Sequence, residues 1–127
     1  MTFEQVVAPS IELCERGVPV SPRMARMTHI QKEFIGQHPS TACIFLPGGR
    51  PLEVGEIVRQ EDMGRTFRKI VDVEKSNSHK GRERAIRAAR DLFYKGEIAE
   101  QMVRFCQEEN GLLELEDLSN FHVDVEI

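Results

Sequence analysis

The chain has 127 residues, the length of one ordinary domain and enough to bury a modest core. Hydrophobic residues make up 40% and charged residues 30%, the balance of a globular protein, and with one Tyr and no Trp the burial must come from aliphatic side chains. Lys and Arg number 17 against 21 Asp and Glu, a formal charge of -4, which argues against a general electrostatic grip on nucleic acid or anionic lipid.

In chain order, Thr2 and Gln5 have capping-box spacing, and Phe3, Val6, Val7, Ile11 and Cys14 follow at helical intervals. Pro9 lacks an N–H and crowds the preceding turn, so a kink or a fresh helix start is expected there. Gly17 supplies a left-handed stop. Ser21-Pro22 reads as an N-cap followed by proline at the first helical position. Met24, Met27, Ile30 or Gln31, and Phe34 or Ile35 then continue on one face until Gly36 and His38-Pro39.

Ala42 to Leu46, the turn Pro47-Gly48-Gly49-Arg50-Pro51, and Leu52 to Val58 together read as a small hairpin. Glu61 and Asp62 open a further helix carried by Met63, Phe67, Ile70 and Val71, its early acids complementing the helix dipole. Ser76-Asn77-Ser78 breaks it. Lys80 to Tyr94 reads as a basic helix, Ile98 to Glu109 as another, and Asn110-Gly111 as its stop. Leu115 to Leu118 is a short helical turn. Phe121, Val123 and Val125 alternate with polar residues as a half-buried strand would.

The chemistry-bearing residues do not converge. Cys14, Cys43 and Cys106 are odd in number and lack a C-x-x-C pair, so neither a disulfide framework nor a zinc knuckle is expected. Cys14 and Cys106 stand among apolar neighbours, as small buried thiols do. His29, His38, His79 and His122 form no metal-ligand spacing, and Ser10, Ser21, Ser40, Ser76, Ser78 and Ser119 lack the G-x-S-x-G elbow. The consecutive acids Glu61-Asp62 and Glu116-Asp117 would diverge by about 100° on a helix and read as helix starts. Gly48-Gly49 lacks the lysine and hydroxyl of a phosphate loop.

Arg82, Arg84, Arg87 and Arg90 invite a nucleic-acid interpretation. Against it, Glu83 and Asp91 stand four residues either side of Arg87, and no aromatics interleave as stacking platforms. No apolar run reaches the roughly 20 residues that span a bilayer. The start, Met1-Thr2-Phe3-Glu4, has no signal-peptide character and leads directly into a helix signal. The residues alone therefore describe a helical module with no catalytic, cofactor-binding or metal-binding residue.

Four stretches, in order, carry a family resemblance. Ala8-Pro9-Ser10-Ile11-Glu12-Leu13 with Gly17-Val18-Pro19-Val20 is similar to a P-A-I-x-L-A-x-x-G-(F)-x-V helix. Gly49-Arg50-Pro51-Leu52-Glu53-Val54-Gly55-Glu56 is similar to G-x-P-L-x-x-G-(D/E). Asp91-Leu92-Phe93-Tyr94-Lys95-Gly96-Glu97-Ile98-Ala99-Glu100 resembles F-Y-x-G-x-I-A, and Gly111-Leu112-Leu113-Glu114-Leu115-Glu116-Asp117-Leu118 resembles G-x-(L/I)-T-x-x-D-L. Each is weak alone, but the set resembles an interior segment of the large subunit of gamma-glutamyltranspeptidases. Met63-Gly64 departs from the usual Leu-Ala, and Asp72–Arg87 reads as an insertion that marks a divergent branch.

The resemblance implies a parent enzyme that cuts itself to free a threonine, whose hydroxyl attacks gamma-glutamyl amides such as glutathione with the new α-amine as base. It places that nucleophile on a small subunit beyond Ile127 and the carboxylate-gripping arginine before the matched segment. Thr28-His29 superficially resembles a processing site but sits inside a predicted amphipathic helix. No catalytic residue is carried onto this chain, and no cofactor is implied.

The expected fold is mainly α, an orthogonal bundle of about five helices with a small β-hairpin and a terminal strand, forming a single helical domain over residues 1–127. The expected role is a structural lobe of a larger enzyme, inactive alone. Its expected partners are the large-subunit core and the small subunit, with self-association through exposed apolar faces and neither nucleic acid nor membrane. The alternative is a non-enzymatic helical interaction module.

Overall fold

The computed structural model describes residues 1–123, and the described residues are mainly α with one two-stranded antiparallel pair. Its helices are α1 (Phe3–Arg16), α2 (Pro22–Ile30), α3 (Lys32–Gly36), α4 (Pro39–Phe45), α5 (Glu61–Ser76), α6 (Arg82–Tyr94), α7 (Glu97–Glu108) and α8 (Leu115–Ser119). The strands are β1 (Val18–Pro19) and β2 (Ile57–Val58). Contacts gather into two compact units, Met1–Phe67 and the chain from Arg68 onward.

In the first unit, α1 is capped as its sequence dictates. The Thr2 hydroxyl accepts the Gln5 N–H at 3.2 Å, and the Gln5 side chain returns a bond to the Thr2 N–H at 2.9 Å. The helix runs unbroken through Pro9, so the short turn with a fresh helix start is not found. Pro9 and Gln5, whose carbonyl loses its helix-ladder donor to the proline, are both exposed residues. Gly17 then turns the chain at φ 85°, and its N–H closes on the Leu13 carbonyl at 2.9 Å.

Ser21 caps α2 by accepting the Met24 N–H at 3.2 Å, with Pro22 at the first helical position. The helix predicted to start at Pro22 and to end at Gly36 divides at Gln31 into α2 and α3. The larger correction follows. Ala42–Leu46 is not a strand: Ala42 to Phe45 belong to α4, which begins at Pro39. Gly48 and Gly49, at φ 63° and 78°, make the turn that follows. The antiparallel pair exists, but β2 pairs with β1, Val18 opposite Val58 and Pro19 opposite Ile57. Val58 of that pair joins Val20 and Leu52 in a buried core, packed by Met24, Ala25, Ile44 and Phe45.

In the second unit, α6 packs on α7 and α7 on α8. Ala85 and Ala89 of α6, and Ile98, Ala99 and Val103 of α7, are buried at helical spacing. Gly96 separates the two helices, and a Cβ there would lie 3.0 Å from the Leu92 carbonyl oxygen. Asn110, at φ 60°, and the Gly111 N–H bonded to the Cys106 carbonyl at 2.7 Å end α7. Residues 121–123 are not in a strand, and Val125 lies outside the described residues.

Candidate functional site

A polar constellation is built on the loop Gly49–Glu56, which the sequence reads as the turn and second arm of a hairpin. Arg50 and Glu56 lie six residues apart, and the loop folds them together. The Arg50 guanidinium donates from Nη1 to Glu56 Oε2 at 3.1 Å and from Nη2 to Oε1 at 2.5 Å, a two-pronged pairing that suits the planar fork. Nη1 also donates to the Pro51 carbonyl at 3.2 Å. Glu56 Oε2 accepts the Glu53 backbone N–H at 2.8 Å. The Arg50 bond, followed by the Glu53 amide, holds the Glu56 carboxyl well below the usual range, at about 2. The same partnership raises the Arg50 pKa.

This clamp anchors the loop to the core around Val20. The Val20 N–H donates to the Glu56 carbonyl at 2.8 Å, and the Gly55 N–H to the Val20 carbonyl at 2.9 Å. Leu52, buried, donates its N–H to Thr28 Oγ1 at 3.3 Å. Thr28 in turn donates that hydroxyl to the Ala25 carbonyl at 2.9 Å. The Thr28 hydroxyl is thus buried and engaged in stitching α2 to the loop, an arrangement unlike that of a free nucleophile. Residues six apart are not neighbours on a helix and are far apart along a strand, so only the loop brings them together, and no local pattern reveals the clamp.

Elsewhere the structure keeps the polar residues apart. Among the described residues, no group of three or more His, Cys, Asp or Glu side chains is placed to hold a metal ion, and no helix is long and apolar enough to cross a membrane. His38 packs edge-on against Phe34, and His122 Nδ1 lies 3.0 Å from the Asn120 carbonyl. Cys14 and Cys106 are half-buried rather than sealed in a core, and Cys43 is exposed with its Sγ 3.0 Å from the Ser40 carbonyl. Asp117 accepts the Glu114 N–H at 2.9 Å, closing the first turn of α8. Glu61 and Asp62 both approach Arg65 across the first turn of α5.

On α6, Arg87 pairs with Glu83 at 2.7 Å as their spacing predicts. Asp91 approaches Arg90 at 3.9 Å and Lys95 at 4.0 Å. Arg90 lies over the Tyr94 ring at 5.5 Å and donates to the Phe121 carbonyl at 3.2 Å. The arginines of α6 are therefore partly committed to the chain's own surface.

A sequence model of the Gamma-glutamyltranspeptidase family matches residues 1–127. The chain is 29% identical over 127 residues to the Schizosaccharomyces pombe protein named glutathione hydrolase proenzyme 1, covering 99% of this chain and 18% of that protein. It is 25% identical over 125 residues to the Acylase ACY 1 proenzyme of Pseudomonas sp. strain SE83, covering 98% of this chain and 20% of that one. The chain thus spans about a fifth of the length of these curated relatives. Among solved structures, Helicobacter pylori gamma-glutamyltranspeptidase shares the fold with a TM-score of 0.77 at 22% identity, over 96% of this chain and 31% of that one.

Proposed function

The chain belongs to the gamma-glutamyltranspeptidase family, and on that basis we propose that it is a structural helical lobe of a gamma-glutamyltransferase or hydrolase. In this role it frames the reaction and supplies none of the reacting groups. The nucleophilic threonine, its α-amine base and the substrate-gripping arginine come from the large-subunit core and the small subunit, which are its partners. The substrate class is a gamma-glutamyl amide such as glutathione.

One observation carries the proposal: polar side chains of two family-like stretches, Gly49–Glu56 and Gly111–Leu118, are engaged in the chain's own turns. Arg50 and Glu56 clamp the Gly49–Glu56 loop, and Asp117 closes α8. Thr28, the threonine nearest in context to a processing site, is buried and bonded to Ala25 and Leu52. A nucleophile needs an adjacent base and open access to substrate. The test is an assay of the purified chain with a gamma-glutamyl anilide. No turnover is expected until the remaining large-subunit and small-subunit segments are added. Rapid turnover by the chain alone, abolished in Thr28→Ala, would overturn the proposal.

A second interpretation, a non-enzymatic interaction module, draws on the large apolar side chains that the first unit exposes, among them Ile30, Phe34 and Val54. A pull-down in which the chain holds an unrelated protein and ignores the other segments of the enzyme would favour it.

A further inference from the structure

The segment after α8 carries an arrangement that no turn or cap requires. The Phe121 ring stacks on Tyr94, with centroids 5.5 Å apart and planes within 11°. Phe93 meets the same Tyr94 ring edge-on at 4.9 Å. Arg90, one helical turn before Tyr94, lies over its ring and donates from Nη2 to the Phe121 carbonyl. One side chain of α6 thus grips the Phe121 ring and another grips its backbone, although 31 residues separate Arg90 from Phe121.

We propose that Arg90, Tyr94 and Phe121 form a latch that seats the segment following α8 against α6 and so fixes the direction in which the chain leaves the helical unit. Flat stacking sets the position of the ring, and the guanidinium bond to the carbonyl sets the rotation of the peptide around it. Neither contact alone fixes both. Because the α8 cap residue Asn120 already accounts for the turn, donating its N–H to the Glu116 carbonyl, the latch is additional to ending the helix. The charges facing Arg90 fit this role. Asp91 at 3.9 Å balances the guanidinium without occupying its donor to Phe121, and Lys95 draws on the same carboxylate at 4.0 Å.

The latch is a positioning device, and its test is independent of whether the chain acts as an enzyme lobe. Chymotryptic cleavage after Phe121 would be followed in the full chain under native conditions, alongside the Phe121 ring shifts by NMR. Tyr94→Ala and Arg90→Gln should each speed cleavage roughly 3- to 10-fold, about the effect of losing one such contact. Each should also move the Phe121 ring resonances downfield toward solvent values while the far-ultraviolet circular dichroism of the helices is kept. Arg90 is exposed, so its variant decides the matter if Tyr94→Ala unfolds. Unchanged cleavage and unchanged ring shifts in folded Arg90→Gln would overturn the latch.

Discussion

The glycine at position 17 illustrates how a single residue can decide whether the first unit closes. Its φ of 85° with ψ of 170° is a region essentially reserved for glycine. A Cβ there would also lie 2.5 Å from Ile57 Cγ2 and 2.7 Å from the Val58 carbonyl oxygen. Both terms act against Gly17→Ala, which should cost roughly 2–5 kcal/mol by strain plus overpacking. Gly48, at φ 63° with open space around its Cβ position, is the control. Gly48→Ala bears only the backbone term, roughly 1–2 kcal/mol. Chemical denaturation of both variants separates the effects, and equal losses would refute the close approach of β2. The sequence marked Gly17 as a stop from its place at the end of a helical pattern. The packing half of its role depends on Ile57, 40 positions on, and no local signal carries that.

Glu56 sets a pH window at the same scale. Its carboxyl is lowered from an ordinary 4.5 to about 2 in the folded chain by Arg50 and the Glu53 amide. A group whose folded pKa is depressed stabilises the fold above its unfolded value and loses that contribution as pH falls toward the folded one. The Glu56 contribution should therefore be complete above about 4.5 and fade between 4.5 and about 2. Arg50→Gln removes the largest cause, so the urea midpoint of that variant should fall less steeply than wild type across this window. Parallel acid titrations would show that the clamp does not act.

At the scale of elements, the sequence was most legible where a capping residue stood beside a periodic stripe. Thr2 with Gln5, Ser21 with Pro22, and Asn110 with Gly111 are all found where they were read. The stretch around α4 was illegible for a physical reason. Five apolar residues in a row have no period to separate a short helix from a strand. The deciding signal is Pro39, which closes the helical pattern before it and equally suits the first turn of the next helix, as it does in α4. Pro9 misled in the opposite sense. Its penalty is real, but Pro9 and Gln5 are exposed, a setting in which a carbonyl without a helix partner costs least, and α1 continues. Pro9→Ala restores the missing N–H and removes the ring clash. It should raise unit stability by about 1–2 kcal/mol, less than the full interior penalty because proline also restricts the unfolded chain. Thermal unfolding reads this directly, and a lower midpoint would mean that α1 depends on the proline.

At the scale of the whole molecule, the family was legible because its motifs recur in order, although each is weak. The Gly49–Glu56 stretch reads as part of a hairpin with Ala42–Leu46 and instead follows α4, since a motif reports which residues are present and not how they pair. What the fold leaves uncovered bears on the proposed role. Ile30 and Phe34 are each 61% exposed, on α2 and α3, and Val54 equally so on the loop. Single exposed apolar residues are ordinary, but several large ones on one unit fit a surface made to be covered. Ile30→Asp with Phe34→Asp should leave stability within about 0.5 kcal/mol, as exposed substitutions do. The same pair should reduce binding of an apolar dye and weaken assembly with the remaining enzyme segments, read by co-purification and by the activity recovered. Full recovery of activity in the double variant would separate this face from the enzyme. Lost stability would mean instead that the two residues belong to the unit's own core.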